Sequence, residues 1–327
     1  MLGVLHACRW GARRVLRAHS GGIMLTEERF VVEANHDGWR LDRFLTERIR
    51  RATRSHVQRM IAGGARFGDG RPARPGSRVR AGDEVFLTRR DLGASRRPAQ
   101  EPRVVAEDGE LVVLEKPGGW LVHRNAHELS NTIEAWLSET WPGERVEPVH
   151  RLDRDTSGLL LCARGVEGVR RWRGAMSGDG VRKEYLALVE DPEASWRPGE
   201  GRTIDVPLGF DASSAVRLRM GVGDLACATE VEVIERRGPR ALLGCVLRGG
   251  RQHQIRAHLY LAGTPVVGDK LYGMGDAFFL SWLEAPGDPS LEVQLALRHH
   301  ALHAHRLTLE DGRTWCCGPP DAWCDRA

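Results

Sequence analysis

The 327-residue chain is short of lysine, of tyrosine and of long apolar runs. It contains three lysines and three tyrosines, although Lys and Arg together number 48. No stretch approaches the roughly 18 consecutive apolar residues of a membrane span, so we predict no contact with a membrane. Hydrophobic residues make up 41% and charged residues 28% of the chain, and this balance excludes collagen, coiled coil and global disorder.

The cysteines do not indicate a disulfide framework. The seven cysteines are odd in number and form no CxxC pair. We therefore predict reduced thiols and a cytoplasmic protein rather than a disulfide-stabilised one. His303 and His305 precede Cys316, Cys317 and Cys324, but their spacing matches no usual zinc pattern, and we predict no metal site.

Charge is divided unevenly along the chain. Residues 1–100 contain 21 basic and 10 acidic residues, a net charge of +11. The remainder contains 48 − 21 = 27 basic and 44 − 10 = 34 acidic residues, a net charge of −7. This split favours a polyanion-binding module joined to a second domain, and the length also suits about two domains. The alternative is an ordinary solvated basic surface.

Four segments are predicted. Residues 1–23 contain four arginines and no acid, which is typical of an organelle transit peptide, and we expect such a leader to be disordered. The alternative, which we favour, is a start codon placed too early, with Met24 as the true beginning. Residues 24–90 form a small α+β module, residues 91–102 form a linker, and residues 103–327 form the larger domain.

The small module is predicted to contain two helices. An apolar stripe from Leu41 to Ile49 indicates the first, and Thr53 is a candidate N-cap for a second that ends before Gly63. Basic side chains around the second helix suit phosphate backbones. The RNA-contact candidates there are Arg51, Arg54 and Arg59. The predicted strands are Arg29–Val32, Arg66–Gly68 and Arg78–Val85.

A known module shares this pattern. WRLDRFLTERI, TRSHVQRMIAGG and VRAGDEV follow one another between Trp39 and Val85. They resemble the small RNA-binding domain of a ribosomal small-subunit protein and of several RNA-modifying enzymes. The resemblance implies that residues 24–90 bind RNA. The alternative is a charged helical hairpin that makes protein contacts.

The larger domain is predicted to be α+β. Its strands outnumber its helices without regular βαβ alternation, which favours a mixed, largely antiparallel sheet with flanking helices. The predicted strands include Leu111–Glu115, Leu159–Cys162, Tyr185–Val189, 231–234 and Leu302–Leu309. The predicted helices are Asn131–Glu139, Val166–Met176 and Gln254–Leu261.

One loop concentrates charged and small residues ahead of an apolar strand. It runs from His150 to Gly158 and contains Asp153 between Arg151 and Arg154. Neighbouring positive charge would keep this carboxylate ionised, and an ionised carboxylate in a cleft can act as a nucleophile or a base. Chemistry alone does not separate this function from a surface ion pair, which is the commoner arrangement.

Several motifs, and their order along the chain, favour the catalytic function of this loop. HRLDRDTSGLLL, which begins at His150, resembles the catalytic motif of RluA-type pseudouridine synthases. The blocks KPGG, KEYLALV, GRQHQIRAHL and GDKLYG resemble further motifs of that family in the same order. All three lysines lie inside these blocks, and the resemblance extends from about Trp39 to Leu309.

The resemblance implies an enzyme that isomerises uridine in RNA to pseudouridine. The glycosidic nitrogen–carbon bond breaks, the uracil turns, and a carbon–carbon bond forms to ring carbon five. The reaction needs no cofactor, and the sequence has neither a P-loop nor a dinucleotide glycine fingerprint. Such an enzyme takes the target base out of its stack.

The resemblance also implies the catalytic residues. Asp153 would attack the anomeric carbon or deprotonate the neighbouring ribose carbon to give a glycal, and both routes stay open. Asp155 is a rival carboxylate outside the catalytic position of the motif. Arg256 would pair with Asp153, with Arg251 as the alternative. Tyr185 would stack on the base and assist proton transfer, unless it is a core aromatic.

The remaining site candidates would contact the substrate. Ile255 would pack against the base, and Arg151 would enter the RNA stack beside the extruded nucleotide. His150 and Thr156 belong to the same motif and are further substrate-binding candidates.

The expected partner is RNA, and the chain is expected to act as a monomer. Large-subunit ribosomal RNA is the predicted target by analogy with relatives that carry the basic module, with transfer RNA second. A non-catalytic RNA-binding protein and a different RNA-directed enzyme are the competing hypotheses.

Overall fold

The computed structural model describes residues 13–14, 24–49, 54–62, 64–91, 97–125, 128–178 and 180–323. Contacts between them define two compact units. The smaller unit extends to Arg97 and includes Arg124–Asn131, and the larger unit comprises Pro98–His123 and the chain from Thr132 onwards. Across the described ranges, no helix combines the length and the apolar character that crossing a bilayer requires.

The smaller unit is an antiparallel sheet with two helices. Its strands are β1 (Arg13–Arg14), β2 (Met24–Val31), β3 (Ala65–Phe67) and β4 (Glu84–Asp91), in the order β1-β2-β4-β3. Its helices are α1 (Leu41–Arg48) and α2 (Arg54–Ala62). Leu41, Phe44 and Leu45 are fully buried and Ile49 packs at the core's edge, which confirms the predicted stripe.

One strand of this unit was predicted too early, because the strand expected from Arg78 begins only at Glu84. A turn precedes it, since Gly82 has a φ of +87° and the Asp83 carboxylate accepts a hydrogen bond from the Arg80 amide at 2.8 Å. Ahead of Met24, where a disordered leader was predicted, β1 pairs with β2 in a register that sets two arginine positions opposite Glu27 and Glu28. Thr53 and Gly63 lie outside the described residues.

The larger unit contains a ten-stranded mixed sheet. The remaining strands are β5 (Arg103–Asp108), β6 (Leu111–Lys116), β7 (Val146–Pro148), β8 (Ser157–Arg164), β9 (Val181–Glu190), β10 (Gly201–Ile204), β11 (Leu208–Phe210), β12 (Met220–Val222), β13 (Ala228–Arg237), β14 (Arg240–Arg248), β15 (Leu302–Leu309) and β16 (Thr314–Cys316). The main path is β10-β13-β14-β9-β15-β8-β6-β5, with β16 on β15 and β7 on β8, and β11 pairs with β12 separately. Of the pairings in the described residues, only β8 with β15 is parallel. The predicted mixed, largely antiparallel α+β class is confirmed.

The described part of the larger unit contains five α-helices. They are α3 (Ile133–Thr140), α4 (Val166–Ser177), α5 (Gln254–Leu261), α6 (Asp276–Glu284) and α7 (Pro289–Glu292). Of these, α3 and α5 pack on one face of the sheet and α4 on the other. Along β6, Val112 and Leu114 enter one core with residues of α3 and α5, whereas Leu111 and Val113 enter a second core with residues of α4. A strand buried on both faces has no polar positions to alternate, which explains the continuous apolar runs of β6 and β8. Each predicted strand of this unit lies within an observed strand, and each predicted helix overlaps an observed helix. Helices α6 and α7 were not predicted.

A buried carboxylate joins the two helices of the smaller unit. Asp42, on α1, accepts hydrogen bonds from Arg40, from Arg54 at 3.1 Å and from Gln58 at 2.8 Å, and the latter two lie on α2. Burial alone would raise the pKa of Asp42, but these donors outweigh it and hold the pKa well below its usual range. The ionised carboxylate therefore links α1 to α2.

Asp42→Asn should destabilise the smaller unit by about 1–3 kcal/mol, because charge-assisted hydrogen bonds to a buried group are lost. Hydrogen exchange of peptides from α1 and α2 measures this locally. Since the folded state lowers the Asp42 pKa, its contribution is complete above the unfolded value of about 4 and declines as the pH falls further. The difference between wild type and variant should therefore shrink on acidification. Asp69→Asn, which changes an exposed carboxylate of the same unit, is the control and should have no measurable effect. Equal protection of α1 and α2 from hydrogen exchange in wild type and in Asp42→Asn would contradict the prediction.

Candidate active site

The motif loop lies where the chain enters β8, inside the larger unit. Leu152 and Thr156 are buried on either side, and Asp153 is partly exposed between them. Leu152 belongs to the core that includes α5. The loop is thus anchored at two points and presents the carboxylate between them.

Arg256 connects Asp153 to a second carboxylate. Arg256 lies on α5, and its Nη1 donates to Asp153 Oδ2 at 2.8 Å. Its Nε and Nη2 donate to the two oxygens of Asp269 at 2.6 and 3.0 Å. Asp269 also accepts the backbone amides of Leu271 and Tyr272 at 3.0 Å. Asp269 therefore fixes the plane of the guanidinium and leaves one nitrogen aimed at Asp153.

All three groups of this cluster are ionised. Burial alone would raise the pKa of Asp153, but the nearby His253, Arg256 and His300 and the hydrogen bond from Arg256 lower it to about 2. The same arginine holds the pKa of Asp269 below its usual range, and the two carboxylates raise the pKa of Arg256 against the opposing effect of burial. Among the described residues, Asp153 accepts side-chain hydrogen bonds only at Oδ2. An ionised carboxylate oxygen, Oδ1, is left for a ligand.

His253 is a neutral ring beside the same carboxylate. Its Nε2 lies 3.9 Å from Asp153 Oδ2, and its Nδ1 lies 3.3 Å from the Tyr272 hydroxyl. That hydroxyl accepts the Met220 amide at 2.9 Å, so it is free to donate its proton to Nδ1, which directs the imidazole proton toward Asp153. Burial and the charge of Arg256 lower the pKa of His253 to about 4. At neutral pH the His253 ring therefore faces Asp153 as an uncharged group.

Tyr185 is buried in β9, the strand next to β15. Burial raises the pKa of Tyr185, and the negative charge of Asp153 raises it further. The phenol stays protonated at neutral pH and lies within electrostatic reach of the carboxylate. Tyr185 is therefore influenced by the charge of Asp153, the carboxylate that Arg256 binds.

Lys116 ties the end of β6 to the motif loop. Its Nζ is buried and donates to the carbonyls of Pro117, Trp120 and Arg154 at 3.0, 2.9 and 3.0 Å. Burial lowers the pKa of Lys116 to about 7. Because Arg154 directly follows Asp153, this side chain fixes the backbone beside the carboxylate.

Asp155 differs from Asp153 because both of its oxygens are occupied. Lys270 Nζ donates to Oδ2 at 2.6 Å, and His299 Nδ1 lies 2.9 Å from Oδ1. The ammonium holds the pKa of Asp155 well below its usual range in spite of burial. The rival carboxylate of the motif is therefore engaged within the protein.

The other predicted site residues fall into two groups. Ile255 is buried in the core and Thr156 is bonded to His300, while His150 Nε2 accepts the Leu161 amide at 2.9 Å. These three support the loop and the sheet. Arg151 is exposed, and Arg251 lies 3.4 Å from the Ala226 carbonyl rather than on Asp153. Of the two arginines considered as the partner of Asp153, the structure pairs Arg256 with it.

The three arginines predicted to contact RNA lie in the smaller unit. Arg51 and the side chain of Arg59 lie outside the described residues. Arg54 is about half exposed, but its guanidinium binds Asp42. A change at Arg54 would therefore also weaken the contact between α1 and α2.

Sequence reasoning assigned no role to several residues of this site. Asp269 and His253 lie inside motif blocks, but neither block indicated a contact with Arg256 or Asp153. His300 gave no local signal, because its partner lies on another segment of the chain. Lys116 and Lys270 had one: lysine is rare in this arginine-rich sequence, and both occur inside motif blocks. Their buried contacts account for that signal.

Comparisons with known proteins agree on one family. A family model described as RNA pseudouridylate synthase matches residues 110–260. A protein named "Uncharacterized RNA pseudouridine synthase" from Chloroflexus aurantiacus is 36% identical over 267 residues, covering 77% of this chain and 81% of the relative. "Ribosomal large subunit pseudouridine synthase D" from Xanthomonas campestris is 32% identical over 288 residues, covering 85% and 83%. The solved structure of "Human RNA Pseudouridylate Synthase Domain Containing 1" has the same fold, with a TM-score of 0.53 and 22% identity over 67% of this chain and 84% of that one.

Lys116→Arg should damage the protein although it keeps the charge. A larger planar group must fit a fully buried site with three carbonyl acceptors, and such overpacking typically costs about 1–3 kcal/mol. Thermal unfolding of the purified variant measures the loss. Arg103→Lys, at an exposed position on the neighbouring strand β5, is the matched control and should unfold like wild type. If Lys116→Arg were as stable as wild type, the described packing around Nζ would be wrong.

Proposed function

Because the chain belongs to the family of RNA pseudouridine synthases, we propose that it converts uridine to pseudouridine in large-subunit ribosomal RNA, with Asp153 as the essential carboxylate. The observation that carries the assignment to Asp153 is its hydrogen-bonding pattern. Arg256 holds one oxygen and the other is open, whereas both oxygens of Asp155 are engaged.

The ionisation of Asp153 suits both routes that are open for the reaction. With a pKa of about 2, it is an anion at neutral pH. Oδ1 could attack the anomeric carbon of the ribose, or it could remove a proton from the neighbouring ribose carbon. Arg256 keeps the carboxylate charged and oriented in either case. The protonated phenol of Tyr185 is available to assist proton transfer at ring carbon five of the turned uracil.

The proposed RNA class rests on the relatives. The Xanthomonas campestris relative is named for the ribosomal large subunit, and this chain covers 83% of its length. Residues 24–90 are proposed to supply RNA affinity and residues 103–327 the chemistry. Transfer RNA is the second candidate substrate. Treating both RNA classes with purified protein and mapping pseudouridine chemically distinguishes them.

The surface of the smaller unit supports an RNA-binding role. Arg43 is exposed and stacks on Trp39, with its guanidinium carbon 3.8 Å from the ring centroid. Arg74, Arg78 and Arg80 are exposed on the loop between β3 and β4. Exposed arginines in this density suit a phosphate backbone.

Asp153→Asn should abolish pseudouridine formation and leave RNA affinity nearly unchanged, because size and shape are kept while the anion is lost. Single-turnover assays and equilibrium binding on the same RNA measure the two effects. Asp155→Asn is the informative comparison: it removes an engaged carboxylate and should retain measurable chemistry. Robust turnover by Asp153→Asn would show that another group performs the reaction.

Loss of charge from the smaller unit should weaken RNA binding and flatten its salt dependence. Each lost phosphate contact should reduce the slope of log affinity against log salt by roughly 0.7–0.9. One double variant carries Arg51→Gln and Arg59→Gln, and a second carries Arg74→Gln and Arg80→Gln. Arg54 is left unchanged because of its contact with Asp42.

The charge-matched control for this salt series removes two exposed arginines from the larger unit, Arg170→Gln with Arg197→Gln. It should leave the slope as it is in wild type. Unchanged slopes in both variants of the smaller unit would favour the protein-contact alternative for residues 24–90.

A further inference from the structure

Three successive side chains of the motif loop are each bonded to a histidine of one segment. Asp155 Oδ1 lies 2.9 Å from His299 Nδ1, and Thr156 Oγ1 lies 2.8 Å from His300 Nε2. Ser157 Oγ lies 2.8 Å from His303 Nδ1. This segment, His299–His303, leads into β15 and runs beside the start of β8.

The backbone reinforces this side-by-side arrangement. β8 and β15 pair in parallel through Ser157 with His303 and Gly158 with Ala304. Gly158 has a φ of +108°, and a Cβ there would lie 2.3 Å from the Ala304 carbonyl oxygen. Only glycine, which has no Cβ, allows the two backbones to come this close. The end of the motif loop is thus held against β15 by packing as well as by hydrogen bonds.

The second of these contacts, between Thr156 and His300, is buried and neutral. Thr156 and His300 are both buried. Burial and the positive charge of Arg256 lower the pKa of His300 to about 3, so the imidazole is uncharged at neutral pH. A neutral imidazole can hold the Thr156 hydroxyl without adding a further cation to Arg256 and Lys270 among the surrounding carboxylates.

Contacts to Asp153 itself and to the residues that follow it hold the carboxylate in place. Lys116 fixes the backbone at Arg154, and Arg256 holds one oxygen of Asp153 itself. Thr156 is the next anchored side chain after Asp155. A loop released at Thr156 would let the carboxylate shift relative to Arg256, and displacement by about 1 Å can reduce a catalysed rate roughly 100-fold.

We propose that His300 is a positioning residue, which through its hydrogen bond to Thr156 holds the motif loop so that Asp153 meets both Arg256 and the substrate. The proposal rests on the proposed function, in which Asp153 is the essential carboxylate. It gives Thr156 a supporting role in place of the substrate contact predicted from the motif.

Paired substitutions isolate this hydrogen bond from general structural damage. Thr156→Ser keeps the hydroxyl, and Thr156→Val replaces it with a methyl group of similar size. His300→Gln can place an amide near the position of Nε2, whereas His300→Asn is too short to reach it. The two conservative variants should therefore rescue what the other two lose.

The experiment measures single-turnover pseudouridine formation at saturating RNA, RNA affinity and thermal unfolding for the full-length variants. Thr156→Val and His300→Asn should lower the rate constant roughly 10- to 100-fold with unchanged RNA affinity. Thr156→Ser and His300→Gln should stay close to wild type. The double variant, Thr156→Val with His300→Asn, should be no slower than the slower single variant, because both changes remove one bond.

His305→Asn and His305→Gln are the matched controls. His305 lies on β15, which begins two residues after His300, and its ring contacts the Cys317 carbonyl rather than the motif loop. Both should react at the wild-type rate. Wild-type rates for both Thr156→Val and His300→Asn would overturn the proposal, as would equal losses in the conservative and disruptive variants.

Wild type and Asp153→Asn are assayed alongside these variants. An inactive wild type or an active Asp153→Asn would show that the proposed function itself fails. An active wild type and an inactive Asp153→Asn, together with undiminished rates in the His300 and Thr156 variants, would refute only the positioning role.

Discussion

The arrangement of the candidate site depends on one guanidinium shared by two carboxylates. Arg256 is buried, and a buried cation is stable only when it is paired and its donors are used. Asp269 takes two of its nitrogens and Asp153 takes a third. Lys270, which follows Asp269 in the chain, binds Asp155. The Gly268–Tyr272 turn is thus connected to the motif loop at two points, through Arg256 to Asp153 and directly from Lys270 to Asp155. Asp153 consequently remains ionised although most of its surroundings are protein.

The rest of the larger unit gives this charged cluster a rigid support. β6 and β8 are buried on both faces, and the motif loop is continuous with β8. Close packing resists displacement, and small shifts in such a core are costly. Lys116 adds a connection from β6. His300, just before β15, and His303, within it, add connections from the other neighbouring strand. The carboxylate is therefore held by the two strands that flank its own.

The sequence predicted what depends on local pattern and on motifs, and missed what depends on distant contacts. Apolar periodicity was sufficient for the fold class and for α5, and the motif resemblance led to the pairing of Asp153 with Arg256, 103 residues apart. No pattern near Asp269 or His300 indicates a partner, because Thr156 and His300 are 144 residues apart and meet only through the β8–β15 pairing. The late start of β4 was missed for a local reason, since the Asp83 side chain and Gly82 stabilise a turn within an otherwise strand-like run.

The acceptors of Lys116 and of Arg256 match the geometry of the two side chains. Each of the three lysines donates to a backbone carbonyl: Lys116 to three, Lys183 to Met176 and Lys270 to Arg298. A compact ammonium can direct its donors to such converging acceptors, whereas a planar guanidinium is larger and has a fixed fork. Arg256 faces the opposite requirement, because two carboxylates offer three oxygens to the three nitrogens of that fork. At Lys116 the backbone beside the candidate site thus converges on one compact cation, whereas at Arg256 two carboxylates converge on one planar cation.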